Sequence, residues 1–411
     1  MNILGIISEY NPFHKGHEYC IKTLKEKYNA DYVVVVMSGD YTQRGCPAIF
    51  DKHTRCAMAL AGGADLVFEL PIYYSTGSAE FFAGGAVSIL NGLGCIDYLG
   101  FGSESDDISS MEKIARILVD EPIEFTTALK ENLKSGKSFA LARAEALKAC
   151  SDVDSNILNT PNDILGIEYI KAILLQGSSI KPVSIKRMGA GYHDDSIDDS
   201  FASATAIRNL IEAQGKADLS KDDLSSLIPS EALNALFDEN EKSTSPVITA
   251  DDFSTLLHYK LLSEKNNGFE QYLDVTREIS DKIISHINDY KDFSSFVSEL
   301  KTKELTYTRI NRALLHILLN ITKKNMEMYS PSRTDFVSYA RILGFRKDAS
   351  ELMKTIKETA TTPVISRLSD AYSQTSYFQM QLLNETISAS NIYGLISNND
   401  ILEYAKKPVI I

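Results

Sequence analysis

Short apolar runs alternate with amphipathic segments through the first half of the chain. The strand-like runs are "NILGIIS", "DYVVVVMS", "ADLVFELP" and "IDYLGFGSE", and helical spacing appears between them in "GHEYCIKTLKEKY", "DKHTRCAMALAGG" and "SAEFFAGGAVSILNGLG". The runs are continuous in apolar character, which indicates strands buried on both faces of a parallel sheet. The order strand, helix, strand predicts a doubly wound, Rossmann-like α/β domain, with "IKPVSIKRM" (180–188) as a final strand.

The pattern changes near residue 243. A polar connector, "STSPVITADD", is followed by helical patterns such as "DFSTLLHYKLL", "RINRALLHILLNIT" and "FVSYARILGF". A chain of 411 residues is also too long for one hydrophobic core. We therefore predict an α/β domain over residues 1–242 and an α-helical domain over residues 243–411.

Composition narrows the class of protein. No run approaches the roughly 18–20 apolar residues that a membrane span needs, and the N-terminal run lacks a basic region before it. The five cysteines include no CxxC pair, which indicates reduced thiols. We expect a soluble, cytoplasmic protein without a membrane partner; the sequence contains no indication of its oligomeric state.

The charge is unevenly distributed. The net charge is −13, yet residues 194–300 hold 22 acidic and nine basic side chains, while residues 301–411 hold 15 basic and ten acidic ones. A basic segment behind an acidic middle leaves a polyanionic partner possible.

Two of the seven histidines lie at the start of the first predicted helix, in "EYNPFHKGHEYC". Ligands of parallel α/β sheets bind beyond the carboxyl ends of the strands, where helix N-termini favour anions. Gly16 allows close approach to the backbone, and His14, Lys15 and His17 supply donors or charge, which suits phosphate and a departing pyrophosphate. A metal site and a pair of surface histidines are the alternatives, although no carboxylate follows at HExxH spacing.

"HKGH" resembles the HxGH signature of the nucleotidyltransferase superfamily, and "SATAIR" resembles its second phosphate-binding segment. With "MSGDYTQRG", "GADLVFELP", "GSAEFFAGGAV", "PNDILGIEY", "IKRMGAGYHD" and "TYTRINRALLHILL", nearly the whole chain resembles the bacterial tRNA(Met) cytidine acetate ligase family. Cys46 and His53 depart from the family pattern, in which an acidic and an aromatic residue are usual.

The resemblance implies an enzyme that activates acetate with ATP as acetyl-adenylate and acetylates N4 of the wobble cytidine of elongator tRNA(Met). It implies catalytic roles for His14, His17 and Lys15, and Mg²⁺ that arrives with ATP. Some of the residues that the resemblance assigns to ATP have alternative explanations. These are a tight turn at Gly102, a helix N-cap at Asn162, Ser203 or Thr205, and simple exposure of Arg187. The implied ATP-binding residues are Ile7, Ser8, Glu9, Tyr10, Asn11, Pro12, Phe13, His14, Lys15, Gly16, His17, Glu18, Tyr19, Cys20, Gly102, Asn162, Arg187, Ser203, Thr205 and Arg208.

Polar residues after the second strand are candidates for the other substrates. Asp40, Gln43 and Arg44 lie where acetate or the cytidine could bind. Cys46, His53 and Cys56 lack a fourth ligand and fit no common zinc site, so we expect no metal site in the protein.

Basic and aromatic residues are interleaved in the helical half, with Tyr307, Tyr339 and Phe345 among them. Phosphate contact with base stacking is one explanation, and a solvated helix face over core aromatics is the other. The candidate tRNA-binding residues are Arg309, Arg312, Arg341, Arg346 and Lys347.

Two other functions fit the first domain. A small-molecule adenylyltransferase would pass AMP to a phosphate-bearing acceptor, but it would leave the helical half without a role. A nucleotide-responsive scaffold would not need the histidine pair.

Overall fold

The computed structural model describes residues 1–137, 139–150, 155–187, 202–214, 219–237, 245–397 and 401–411. Its strands belong to one sheet. They are β1 (Ile3–Ser8), β2 (Tyr32–Ser38), β3 (Leu66–Leu70), β4 (Tyr98–Ser103), β5 (Lys181–Lys186), β6 (Ala340–Phe345), β7 (Val364–Ile365) and β8 (Val409–Ile410).

Helices cover both faces of the sheet and make up most of the chain after residue 245. None of those in the described residues combines the length and apolar character needed to cross a bilayer. They are α1 (Lys15–Lys27), α2 (Lys52–Ala61), α3 (Ile72–Ser75), α4 (Ala79–Leu93), α5 (Ile108–Asp120), α6 (Ile123–Lys134), α7 (Phe139–Cys150), α8 (Pro161–Leu175), α9 (Ala204–Gln214), α10 (Lys221–Ser225), α11 (Ser230–Leu236), α12 (Ser254–Glu264), α13 (Arg277–His286), α14 (Phe293–Leu300), α15 (Tyr307–Leu319), α16 (Lys323–Tyr329), α17 (Ser350–Thr359), α18 (Ala371–Gln374) and α19 (Tyr377–Ile396).

The strand order is β5-β4-β1-β2-β3-β6-β7, and β8 pairs with β6. The five strands of the first half are parallel, as the continuous apolar runs predict. The chain first adds β2 and β3 on one side of β1 and then crosses back to add β4 and β5 on the other side, so the order of strands reverses between β1 and β4. That reversal makes the carboxyl edge beside β1 the expected ligand position of a doubly wound fold.

The segment "FVSYARILGF" is a strand and not the predicted helix. Its residues Ala340–Phe345 form β6, which pairs antiparallel with β3 and is buried along nearly its whole length. Periodicity cannot distinguish a short apolar run in a buried strand from one in a helix. The C-terminal half is therefore mainly helical but also contributes β6, β7 and β8 to the sheet, while a boundary at residues 242/243 stays a prediction.

The sheet separates two clusters of apolar side chains. One cluster joins α4 and α8 to the helical half, and the other lies under α1, α2, α9 and α11. Val33, Val34, Val35 and Val36 of β2 alternate between the clusters and are all fully buried. Burial on both faces explains why this strand carries no polar residue between Tyr32 and Ser38.

A buried ionic network links the two halves of the chain. Lys52 Nζ lies 2.6 Å from a carboxylate oxygen of Glu69 and 3.0 Å from one of Glu403. Arg341 bridges the same two carboxylates, with nitrogen–oxygen distances of 2.7 and 2.5 Å, and His53 Nε2 lies 3.0 Å from Glu403. The prediction that Arg341 contacts tRNA is wrong, because its guanidinium is buried and paired on both sides.

Candidate active site at the carboxyl edge of the sheet

The segment between β1 and α1 brings the two histidines together. His14 is the N-cap of α1, and its Nδ1 accepts a hydrogen bond from the backbone N–H of Gly16 (3.1 Å). The backbone N–H of His14 donates to Nδ1 of His17 (3.3 Å), which completes a capping box. Because Nδ1 of each neutral ring accepts, the ring proton is on Nε2. Both imidazoles therefore bring an N–H donor to the cavity that they line.

Burial keeps the two imidazoles neutral. Burial first, and then the positive charges of Arg187 and Arg208, lower the pKa of His14 to about 3. Burial also lowers the pKa of His17 well below its ordinary value, with smaller effects from His14 and Arg187. At neutral pH the pair consequently supplies hydrogen-bond donors, and the fixed positive charge of the site comes from arginines.

A cavity of about 420 Å³ opens beside this pair, a size typical of small-molecule sites. It lies at the carboxyl ends of β1, β2, β4 and β5 and is closed by α4, α8 and the start of α9. The structure brings most of the predicted site residues into its wall. They are Ile7, Ser8, Glu9, Tyr10, Asn11, His14, Gly16, His17, Tyr19, Cys20, Gln43, Arg44, Gly102, Asn162, Arg187, Ser203, Thr205 and Arg208.

Other predicted site residues do not line the cavity. Lys15 points away from it and donates from Nζ to the carbonyl oxygen of Ser226 (2.5 Å), so the structure does not support a catalytic role for it. Phe13 is buried against Gly62, and Glu18 pairs with Lys22 one helical turn away. Side chains around the first turn of a helix point in different directions, so only some of the side chains in this segment can reach the cavity. Pro12 is also absent from the wall.

Asp40 is likewise not in the cavity. Its carboxylate accepts a hydrogen bond from the backbone N–H of Lys52 (2.8 Å) and lies 3.7 Å from Lys52 Nζ. The side chain is buried, so it anchors the start of α2 and cannot hold acetate or cytidine as predicted.

Sequence reasoning missed the apolar part of the wall. Phe82, Phe101, Ile164, Leu165 and Tyr169 close the cavity from α4, β4 and α8. In the sequence these residues are indistinguishable from core positions. Several of these residues lie in the segments "GSAEFFAGGAV" and "PNDILGIEY". The resemblance of those two segments to the family is the one feature of the sequence that could have indicated a role for these residues in the site.

An arginine pair borders the cavity at the start of α9. Arg208 donates to the carbonyl oxygen of Asn11 (2.6 Å) and to Thr205 Oγ1 (3.0 Å), and Arg44 Nη1 lies 3.4 Å from the same hydroxyl. Ser203 Oγ accepts from the backbone N–H of Ala206 (3.1 Å), so it both caps the helix and lines the cavity. Among the described residues, the hydrogen bonds of Arg208 go to neutral oxygens, so its guanidinium can still pair with an anion.

The opposite wall is formed by β4, β5 and α8. A Cβ atom on Gly102 would lie 3.1 Å from Cγ of Arg187, so glycine there lets the arginine lie flat against the strand. Asn162 donates to the carboxylate of Glu104, while Thr160 and not Asn162 is the N-cap of α8. This wall therefore presents an oriented amide and an exposed guanidinium beside a glycine strand end.

Arg55 holds the two central loops in place. It is fully buried on α2 and donates to the carbonyl oxygens of Phe50 (2.9 Å), Glu9 (2.6 Å) and Ser38 (3.2 Å), and also to that of Gly39. Its guanidinium thus ties the loop after β1 to the loop after β2. No sequence pattern singles out this arginine, because its partners are backbone atoms of distant segments.

The loop after β2 packs against the first turns of α15. A Cβ atom on Gly45 would lie 2.3 Å from the backbone nitrogen of Arg312, and Asn311 Nδ2 lies 3.4 Å from Cys46 Sγ. The loop that carries Gln43 and Arg44 into the cavity is therefore held by the helical half.

The predicted tRNA-binding residues do not share one surface. Arg309 is partly exposed at the start of α15, and Arg312 is paired with Asp274 (2.8 Å). Arg346 and Lys347 follow β6 at the amino edge of the sheet, where the backbone N–H of Arg346 donates to the carbonyl oxygen of Asp65, so they lie opposite the cavity. Tyr339 is buried and Phe345 half-buried, whereas the exposed fraction of Tyr307 is 51%.

Candidate metal ligands do not cluster in the described part of the chain. Cys46 lies beside Asn311, and His53 is hydrogen-bonded to the carboxylate of Glu403. Burial raises the pKa of Cys46 to about 11, which keeps it a thiol at neutral pH.

Comparison with known proteins identifies the family. The model of the HIGH Nucleotidyl Transferase family matches residues 1–407. The tRNA(Met) cytidine acetate ligase of Clostridium novyi (strain NT) is 39% identical over 397 residues, which cover 94% of this chain and 97% of that protein. The chain belongs to the tRNA(Met) cytidine acetate ligase family. The enzyme of the same name from Thermoanaerobacter sp. (strain X514) is 40% identical over 404 residues, 97% of this chain and 96% of that protein.

Solved structures agree with this assignment. Thermotoga maritima TmcAL in its apo form I has a TM-score of 0.92, and TmcAL bound with alpha-thio ATP has one of 0.90. Each is 30% identical, and each match covers 100% of both chains. The resemblance and the Rossmann-like nucleotidyltransferase fold predicted from the sequence are confirmed.

Proposed function

We propose that this protein is an ATP-dependent ligase that activates acetate as acetyl-adenylate and acetylates N4 of the wobble cytidine of elongator tRNA(Met). The observation that carries the proposal is the neutral pair His14 and His17, whose Nε2–H donors face a cavity that three arginines also line. The names of the relatives support it, as does the ATP analogue bound to the Thermotoga maritima relative.

ATP fits the β4 side of the cavity. Nucleotides bind at the switch point of doubly wound sheets, which lies here between β1 and β4. Gly102, Asn162 and Arg187 would then contact the adenosine and α-phosphate. The β- and γ-phosphates would lie at the start of α1, where the helix dipole and the two imidazoles face them.

The first step is an attack of an acetate oxygen on the α-phosphorus of ATP. The bond to the bridging oxygen breaks, and pyrophosphate leaves with the electron pair. His14, His17 and Arg208 would stabilise the charge that develops on it, because preorganised donors are most effective where water is excluded. We propose that Mg²⁺ enters with the nucleotide, since phosphate oxygens supply most of its usual ligands.

The β2 side of the cavity is left for acetate and the cytidine. Gln43 and Arg44 line this side, and Arg44 offers a cation suited to the acetate carboxylate. The segment before α15 and the first turn of that helix carry the exposed residues Lys301, Lys303 and Tyr307 and the partly exposed Arg309, which we name the α15 surface. Lys301 Nζ lies 5.2 Å from the ring centroid of Tyr307, so charge and an aromatic face occur together, as single-stranded RNA loops require.

Isotope exchange between pyrophosphate and ATP tests the first step. We expect exchange that requires acetate and does not require tRNA, followed by appearance of N4-acetylcytidine when elongator tRNA(Met) is added. Exchange that ignores acetate but needs a phosphate-bearing acceptor would instead identify an adenylyltransferase. Absence of exchange under all conditions would refute the proposed activation step.

A further inference from the structure

Glu9 brings a negative charge to this cavity. Among the described residues of the wall it is the acidic one, while Arg44, Arg187 and Arg208 carry positive charge. In the described part of the chain it forms no ion pair, and its hydrogen bond is accepted by Oε1 from the backbone N–H of Gln43 (2.8 Å). A carboxylate beside a triphosphate site is unfavourable unless a donor approaches it.

The position of Glu9 indicates which substrate brings that donor. Glu9 follows β1, its bond to Gln43 ties it to the loop after β2, and its charge also acts on Tyr169 of α8. The same loop packs through Gly45 against α15. Glu9 therefore lies between the nucleotide side of the cavity and the side from which the acceptor would enter.

The backbone of Glu9 is held as well. Its carbonyl oxygen accepts a hydrogen bond from the buried guanidinium of Arg55 (2.6 Å), which also holds the loop after β2. The backbone and one carboxylate oxygen are thus fixed, and the second oxygen, which has no hydrogen-bond partner among the described residues, can accept from a ligand. Catalytic carboxylates are typically oriented in this way by groups other than the substrate.

We propose that Glu9 binds the N4 amino group of the cytidine and accepts its proton during acetyl transfer, an inference that rests on the proposed function. The N4 lone pair forms a bond to the acetyl carbonyl carbon, and the bond from that carbon to the AMP phosphate oxygen breaks. The electron pair of the broken bond leaves with AMP, whose charge Arg187 and Arg208 neutralise. The proton released from N4 passes to the carboxylate of Glu9.

The chemistry of the cytidine N4 amine is the reason why a base is needed. The N4 lone pair is delocalised into the ring, so the nitrogen becomes acidic only as its bond to the acetyl carbon forms. A positioned base at that moment contributes typically about 10²–10⁴ in rate. Acetate activation involves no amine and has no need of this base, so the two half-reactions should respond differently to removal of the Glu9 carboxylate.

The experiment compares Glu9→Gln and Glu9→Asp with the wild-type enzyme in both half-reactions. Glu9→Gln keeps an oxygen that can accept from Gln43 N–H, so the loop should be preserved; stabilisation of the variant by ATP in a thermal melt verifies this. Acetate-dependent pyrophosphate exchange should stay within about threefold, whereas single-turnover acetyl transfer to tRNA should fall by about 10²–10⁴, with partial recovery in Glu9→Asp.

Glu212→Gln is the matched control. Glu212 is exposed on α9 and acts electrostatically on Arg208, but it does not line the cavity. Removing its charge should leave both half-reactions within about twofold of the wild type, whereas removing the charge of Glu9 should not.

A parallel decrease of exchange and transfer in Glu9→Gln would overturn the proposal and assign Glu9 to the nucleotide or its Mg²⁺. Unchanged transfer would overturn it as well. Failure of the proposed function itself is recognised separately, because the wild-type enzyme would then show no acetate-dependent exchange or no acetylated cytidine.

Discussion

His14 combines two roles in one imidazole, and substitutions can separate them. Its Nδ1 caps α1, while its Nε2–H faces the cavity. His14→Ala should lose both roles: about 10²–10³ in acetate-dependent exchange and about 1 kcal/mol in the free energy of unfolding. His14→Asn should retain the cap, because asparagine is a favourable N-cap residue, yet lose as much activity. Urea unfolding beside pyrophosphate exchange measures the difference, and retained exchange in both variants would exclude His14 from the chemistry.

The lowered pKa of His14 also predicts how stability depends on pH. The unfolded histidine binds a proton below about pH 6.5, whereas the folded one binds it only near pH 3. Between these values the unfolded state holds more protons, so the free energy of unfolding should fall as the pH falls, by up to about 1.4 kcal/mol per pH unit from this side chain. Above pH 6.5 the contribution should be constant. Urea unfolding at pH 7.5, 6 and 5 should therefore show a smaller decrease in His14→Asn than in the wild type, and equal decreases would contradict the assignment.

At the scale of elements, the packing of the β2 loop on α15 can be tested with one methyl group. Gly45 has φ +76°, and a Cβ atom there would lie 2.3 Å from the backbone nitrogen of Arg312. Gly136 has φ +84° with no atom within 4 Å of its Cβ position, so Gly136→Ala shares the backbone strain without the collision. Gly45→Ala should cost at least about 1 kcal/mol more in the free energy of unfolding than Gly136→Ala, and should slow acetyl transfer more than exchange. An equal decrease in the free energy of unfolding for the two variants would mean that the loop can move away from α15 to make room for the methyl group.

The sequence is most informative for elements whose pattern is local. The strands of the first half lie close to their predicted positions, because burial on both faces leaves a continuous apolar run. β6 differs from the predicted helix because its six residues carry no periodicity that separates strand from helix. Residues whose role depends on distant partners are equally hard to predict: Arg341 meets Glu69 from 272 positions away, and Lys15 meets Ser226 from 211.

At the scale of the whole molecule, we expect tRNA binding to depend more on where the basic residues lie than on the net charge. We expect Lys303→Glu with Arg309→Glu, both on the α15 surface, to weaken tRNA binding and to make its salt dependence shallower, by about 0.7–0.9 for each phosphate that the variant no longer neutralises. Pyrophosphate exchange should be unaffected, because it needs only the cavity. The measurement is tRNA binding titrated at several salt concentrations.

Lys130→Glu is the control for that experiment. Lys130 is exposed on α6, which packs against α7, whereas α15 packs against α12 and α14, so the same charge reversal there should barely change binding. An equal decrease of affinity in the control would show that the tRNA responds to overall charge. Unchanged binding in the α15 variant would place the tRNA on another surface.

The antiparallel pairing of β3 with β6 has a consequence for synthesis on the ribosome. Glu69 and Arg341 are separated by 272 residues, so β3 waits for its neighbour on the order of tens of seconds at ordinary elongation rates. During that time the outer edge of β3 has no partner, and such edges invite pairing with other nascent chains. A charged side chain within an apolar edge strand discourages that pairing, and Glu69 lies within "LVFEL". We therefore expect the carboxylate that binds Lys52 and Arg341 in the finished protein to discourage aggregation of the unfinished sheet as well.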